Sequence, residues 1–178
     1  MIGSYALQSW TPQLVKSLSS LYSNRIIGLL VTIPNLVGLA TLIIFPRNSD
    51  RRLERRYHVA IAAILAAAAL VLLGATRSPF YFVTLRSLAA AGICSLLGPF
   101  WTLPGEFLTG FSAAAGIALI NSVGNLGGFA EPFMIGTIAM KTGNLYAGLA
   151  TAGLALFISA VLVLLLPGKA LALAPALG

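Results

Sequence analysis

The chain has 178 residues, 58% hydrophobic and only 8% charged, with 11 Lys+Arg against 4 Asp+Glu for a formal net charge of +7. A mean hydropathy of +0.95 excludes a water-facing globule, since a soluble domain carries about 25% charged residues. It also sets aside the nucleic-acid partner that a pI near 10.2 would suggest in a soluble protein; apolar runs of this length belong in a lipid bilayer.

Residues 1–22 come first. They crowd Gln8, Ser9, Trp10, Pro12 and Gln13 together ahead of Lys16. The stretch is too short and too polar for a complete span, and is expected to be the outer end of a helix whose beginning is missing. It lacks a basic start and a clean apolar core, so no cleavable signal peptide is expected. Five later runs approach the roughly 20 apolar residues that a helix needs to cross a membrane: 26–45, 59–75, 79–103, 111–138 and 145–166. Open-edged backbone cannot face lipid, so each is predicted to be a helix and the fold class all-α. The links at 24–25, 76–79, 104–106 and 141–144 are short and rich in turn residues, which makes sequential helices antiparallel neighbours. The chain thus divides into a stub (1–22), a transmembrane unit (23–167) and a loose cytosolic tail (168–178).

The stretch "PRNSDRRLERRYH" at 46–58 stands apart. It holds Arg47, Arg51, Arg52, Arg55 and Arg56, five of the eleven Lys+Arg, and two of the four acids, Asp50 and Glu54. Basic residues in short loops stay cytosolic. Placing 47–56 inside puts Arg47, Arg51, Arg52, Arg55, Arg56 and Lys169 there, and leaves Lys16, Arg25, Arg77 and Lys141 outside. The cluster is therefore expected to be a cytosolic anchor between two membrane helices, in a multi-pass protein of the cell (inner or plasma) membrane.

Asp50, Arg51, Arg55 and Arg56 resemble the loop signature of the major facilitator superfamily, roughly Gly-x-x-x-Asp-Arg-x-Gly-x-Arg-Arg, with Pro46 and Leu53 where glycines are usual. In that family the aspartate meets a helix end in the opposite half and steadies a gate, and a helix N-terminus favours a carboxylate. The segment 100–132, above all "ALINSVGNLGGF", is similar to the tenth and eleventh helices of the anion:cation symporter branch, the phthalate, tartrate and hexuronate permease-like transporters. "SYALQSWTPQLVKSL" resembles the end of that branch's seventh helix. The resemblance implies a twelve-helix transporter of two six-helix halves with substrate held between them near mid-membrane. It makes this chain helices eight to twelve plus a stub of seven. The proton-coupling carboxylates and an anion-binding arginine would lie mostly in the missing N-terminal half.

Asn121, Asn125, Gly128 and Pro132 share one helical face. Amides offer both donors and acceptors, which suits the carboxylate and hydroxyl groups of a sugar acid or dicarboxylate. Asn121 and Asn125 are thus candidates for the substrate path; hydrogen bonding between helices is the alternative. Tyr5, Gln8 and Trp10 join them because the seventh helix lines the cavity in the family. Gly124 and Gly128 form a small-residue pair for close helix packing, sliding or static. Pro99 and Pro104 mark a gate or a helix end, Trp101 a headgroup anchor or a stacking ring, and Pro34 with Asn35 a hinge or cavity wall.

Two charges fall inside spans, Arg86 and Glu131, at similar depth on antiparallel helices. An isolated charge there costs a few kcal/mol or more, so an Arg86–Glu131 ion pair is expected. Snorkelling of Arg86, a protonated Glu131 and service to the substrate are the alternatives. The family pattern shows a small residue where Glu131 stands. Cys94 has no partner and is expected to be a packing residue. His58 has no clustered metal ligands, and neither a hydrolase triad nor a phosphate loop is legible, so no enzyme, metal or cofactor is expected. The reading is a fragment of a secondary transporter for a small organic anion, coupled to protons by alternating access. A truncated, non-transporting fragment and a helper or channel subunit needing a partner half are the alternatives.

Overall fold

The computed structural model describes residues 1–19, 23–73 and 78–166, with the backbone alone for 12–19 and Pro79. The expected tail, Arg77, Lys169, the side chain of Lys16 and the end of the second predicted span at 74–75 lie outside the described residues. Every described element is a helix: α1 (Ile2–Ser19), α2 (Asn24–Arg52), α3 (Arg56–Leu72), α4 (Pro79–Thr102), α5 (Pro104–Phe107), α6 (Gly110–Thr142) and α7 (Leu145–Leu165). The helices pack in the spatial order α2, α4, α3, α7, α6, and α1 touches α2, α4, α6 and α7.

Each of the five predicted runs became a helix. Among the described residues four stretches are long and apolar enough to cross a membrane: Asn24–Arg52, Phe80–Phe107, Gly110–Thr142 and Leu145–Leu165. At ~1.5 Å rise per residue α6 is about 50 Å long, well beyond the ~30 Å hydrocarbon core. α3 has 17 residues, about 25 Å by the same rise. It is the most enclosed helix. Its alanines, strong helix formers, face both neighbours: Ala60, Ala62, Ala63, Ala66, Ala67 and Ala69 are all buried. Lipid tails are as apolar as leucine, so association in a bilayer depends on close van der Waals approach between small residues. A Cβ added to Gly92 of α4 would lie 2.5 Å from the Ala62 carbonyl oxygen, and one on Gly153 of α7 would lie 2.9 Å from that of Ala67. α3 is therefore held backbone-close on two sides, with Leu70, Leu73, Ile135 and Leu149 filling the core beside it.

The predicted loop 47–56 is mostly helix. α2 runs through Pro34 and Pro46 to Arg52, because neighbouring helices in a bundle tolerate proline where it finds space. Pro34 is buried, and Pro46 lies against Gly98, where an added Cβ would come within 2.7 Å of its Cγ. Pro34–Asn35 is thus not a break in the helix. The turn comes at Leu53, in the left-handed region at φ 51. Its N–H donates to the Asp50 carbonyl and that of Glu54 to the Ser49 carbonyl, the double closure usual at a helix C-terminus, where glycine is preferred. At the other end of the sequence Gly143, at φ 65, ends α6. The Asn144 side chain then accepts from the Tyr146 N–H at 3.0 Å to cap α7. α4 passes through Pro99 and stops at Thr102, and Pro104 begins the separate turn α5.

Candidate functional site

The glycines of α6 make a shallow seat for the first turns of α1. An added Cβ would come 2.6 Å from Met1 at Gly124, 3.3 Å from Ile2 at Gly127 and 2.3 Å from the Tyr5 ring at Gly128. The small-residue face read from sequence is therefore a packing face, and its occupant is α1. The seat brings the Tyr5 hydroxyl to Asn125, donating to Oδ1 at 3.1 Å. Tyr5, Gln8, Asn121 and Asn125 are all exposed. Tyr5 and Asn125 sit where α1 meets α6, and Gln8 and Asn121 lie one turn along their helices from them, so the exposed side of this seam carries hydroxyl and amide groups. Those four groups can donate to and accept from a polar solute without any charge of their own.

An apolar cavity adjoins this seat and shares Met1, Ile2, Gly124 and Gly127 with it. It has a volume of about 640 Å³ and sits among the start of α1 and α3, α4, α6 and α7, with Val59, Phe100, Leu119, Ile120 and Leu156 on its wall. Its lining is apolar apart from Ser159 and the indole of Trp101. None of Tyr5, Gln8, Trp10, Asn121 or Asn125 lines it. Residue spacing placed the two asparagines on one helix face, but nothing in the sequence showed which side of α6 the bundle would cover.

Arg86 and Glu131 are both inside, 4% and 1% exposed. The expected direct ion pair does not form: among the described residues the pairs within 4.0 Å do not include it. α1 stands between the partners instead. Arg86 Nη2 donates to Thr11 Oγ1 at 2.9 Å, and the Trp10 indole N–H donates to Glu131 Oε1 at 3.2 Å. Thr11 in turn donates to the Leu7 carbonyl. Trp10 is thus a partner of Glu131 rather than a wall of the cavity. Depth alone suggested the pairing; the insertion of α1 could not be read from the spacing of the two charges.

The charged end is a network of its own. Arg55 Nε lies 3.1 Å from Glu106 Oε1 on α5, and Arg55 Nη2 lies 3.7 Å from Asp50. Arg56 donates to the Leu164 carbonyl in the last turn of α7, where cations favour the helix C-terminus. The Glu54 carboxylate accepts from the Tyr57 N–H at 3.1 Å and from His58 Nδ1 at 3.2 Å, and His58 Nε2 lies 3.1 Å from Asn48 Oδ1. Of the four motif residues, Arg55 and Arg56 tie α5 and α7 to the start of α3, while Asp50 and Arg51 are exposed. Sequence reading missed Glu106. The signal was there: it is one of only four acids, in a short link on the same side as five arginines. Among the described residues no three His, Cys, Asp or Glu side chains gather as a metal site.

Comparison with known proteins agrees with a membrane carrier. A quinolone resistance transporter of Acinetobacter baumannii is 47% identical over 147 residues, 82% of this chain and 33% of its own length. A protein of Agrobacterium vitis named as a candidate tartrate transporter is 40% identical over 164 residues, 92% of this chain and 36% of its own. A candidate metabolite transport protein, NicT, of Pseudomonas putida is 32% identical over 170 residues, 95% of this chain and 39% of its own. The chain thus spans a little over a third of the length of the curated relatives it matches. No family model and no solved structure matches it. The apolar helices and these relatives together make it a multi-pass membrane protein.

Proposed function

We propose that the chain is the C-terminal half-bundle of a secondary transporter of the anion:cation symporter branch of the major facilitator superfamily, one that carries a small organic anion with protons by alternating access. The observation that carries this is the match to transporters over 82% to 95% of the chain. The α1–α6 seam supports it. Tyr5, Gln8, Asn121 and Asn125 are exposed on this bundle, and in this reading a second half completes a cleft over them. Tartrate, for which one relative is named, is a hydroxylated dicarboxylate, and amide and hydroxyl groups recognise such oxygens. The chain acts as a carrier rather than an enzyme: no bond is made or broken in moving a solute between two halves. The chain spans about a third of the length of its relatives, and a non-transporting fragment is the second reading for the chain on its own.

The test is a chimera in which this chain replaces the matching segment of the Agrobacterium vitis relative. Vesicles carrying it should take up tartrate when an inward proton gradient is imposed. Asn121→Ala and Asn125→Ala should each cost about tenfold, the worth of one good hydrogen bond, with Ser159→Ala near unchanged. A chimera that reaches the membrane but takes up no more than empty vesicles overturns the reading.

The charged end of the bundle, where α2 meets α3, is placed on the cytosolic side of the cell membrane in this reading, because its arginines resist translocation. Leu53 is 66% exposed and suits a label. Leu53→Cys, in a Cys94→Ala background, should react with an impermeant thiol reagent in inside-out vesicles and stay silent in intact cells; the reverse pattern refutes the orientation.

A further inference from the structure

Three of the four acids lie at the charged end: Asp50, Glu54 and Glu106. Glu131 is the fourth, about 30 Å further along α6 from its start at Gly110 by the rise per residue. It is 1% exposed in the interior of a membrane-spanning helix. One oxygen, Oε1, accepts from the Trp10 indole; the other, Oε2, is buried with no hydrogen-bond partner. Arg86 mirrors it from α4. It is 4% exposed, donates from Nη2 to Thr11, and keeps Nε and Nη1 buried without hydrogen-bond partners. Trp10 and Thr11 are consecutive on α1. Two buried, opposite charges therefore hold one helix from two sides without touching each other.

We propose that Glu131 is a proton-binding site, and that its charge state decides how firmly α1 is held between α4 and α6. An arginine keeps its proton in proteins, so Glu131 is the member of this cluster that changes charge. Ionised, it only accepts: it takes the indole N–H and supplies the negative charge that a guanidinium in a bilayer requires. Protonation adds one proton from water to Oε2, the oxygen no hydrogen bond occupies, forms one O–H bond there and removes the carboxylate charge. The Trp10 bond then ends on a neutral oxygen, and charge-assisted bonds are roughly twice as strong as neutral ones. Arg86 is left as an uncompensated cation at the same helix, a costly arrangement in low dielectric. Both changes loosen the grip on α1.

The other groups on the packed elements do not compete for that proton. α1 brings the Met1 amino group, nine residues or about 14 Å along the chain from Trp10 by the rise per residue, Tyr5, a phenol bonded to Asn125, and Lys16, whose side chain lies outside the described residues. α7 brings Tyr146 and no charged residue. α5 brings Glu106, paired with Arg55 at the charged end. Lys141 on α6 itself is exposed. The inference concerns a site in this chain alone and does not rest on transport.

The experiment uses the whole chain purified in detergent and carrying Trp101→Phe, which leaves Trp10 as the single tryptophan of the two in the sequence. Trp10 emission should shift in one sigmoidal step between alkaline and acidic pH. Infrared difference spectra over the same range should show a protonated-carboxyl C=O band. Glu131→Gln should remove both the step and that band. A band unchanged by Glu131→Gln overturns the proton site, and a flat Trp10 emission alongside a titrating Glu131 overturns the loosening of α1. If Glu131→Gln does not fold, Glu131→Asp keeps a titrating carboxyl and must displace the midpoint of both signals; an unmoved midpoint likewise overturns the proposal.

Discussion

Gly92→Val is expected to abolish the folded bundle in detergent, while Gly28→Ala leaves it intact. At Gly92 an added Cβ would lie 2.5 Å from a backbone oxygen of α3 and 2.8 Å from the Ala66 nitrogen. Backbone cannot step aside as a flexible side chain does, so α3 and α4 must separate. Overpacking in a close-packed core costs about 1–3 kcal/mol, occasionally more, and valine adds two methyl groups beyond that first carbon. The damage would not stay local, because α3 also carries α7 through the contact of Gly153 with Ala67. Gly28 has nothing within 4 Å of its added Cβ, and alanine in a helix interior is favoured over glycine by roughly 0.5–1 kcal/mol. Thermal unfolding of the two purified variants followed by circular dichroism checks both. A Gly92→Val protein as stable as the parent would mean that α3 and α4 are not in contact as described.

Arg55→Ala is expected to destabilise the bundle by about 2 kcal/mol, in the range of hydrogen bonds to charged groups. This is more than an exposed ion pair contributes. The Arg55 and Glu106 side chains are 20% and 14% exposed, so their pair is shielded, whereas Asp50 at 65% lies in water and adds little. Arg55→Glu should be worse than Arg55→Ala, since it sets two carboxylates against each other. Combining Arg55→Glu with Glu106→Arg should recover part of the loss, read as the midpoint of thermal unfolding. Additive losses would remove this contact from the forces that hold α5 to the start of α3.

The helices were legible because each is a long apolar run, and the all-α architecture follows from those runs and the need to satisfy backbone in lipid. Their ends were less so. The arginine-rich stretch looked like a loop because it is polar, yet α2 continues through it to Arg52 and turns only at Leu53. The family signature usually places glycine at that position, and the left-handed φ there explains the preference physically. The relation among Tyr5, Asn125, Arg86 and Glu131 was hidden for a different reason. Periodicity tells which residues share a face of one helix, not which helix arrives to cover it. α1 was read as a stub, too polar to span; its polar residues turn out to be the partners of charges on α4 and α6. The transporter reading drawn from "ALINSVGNLGGF" is borne out by relatives named as transporters.

In the proposed transporter, solute passes along the polar α1–α6 seam and not through the apolar cavity among the start of α1 and α3, α4, α6 and α7. This route is tested most directly by thiol labelling of Asn125→Cys and Ile120→Cys, each in a Cys94→Ala background of the chimeric transporter. Asn125 lies on the seam beside Tyr5, and Ile120 lines the cavity. A water-soluble maleimide is expected to label Asn125→Cys, and a hydroxylated dicarboxylate to slow that labelling while leaving the rate at Ile120→Cys unchanged. Protection at Ile120→Cys with none at Asn125→Cys would contradict that route.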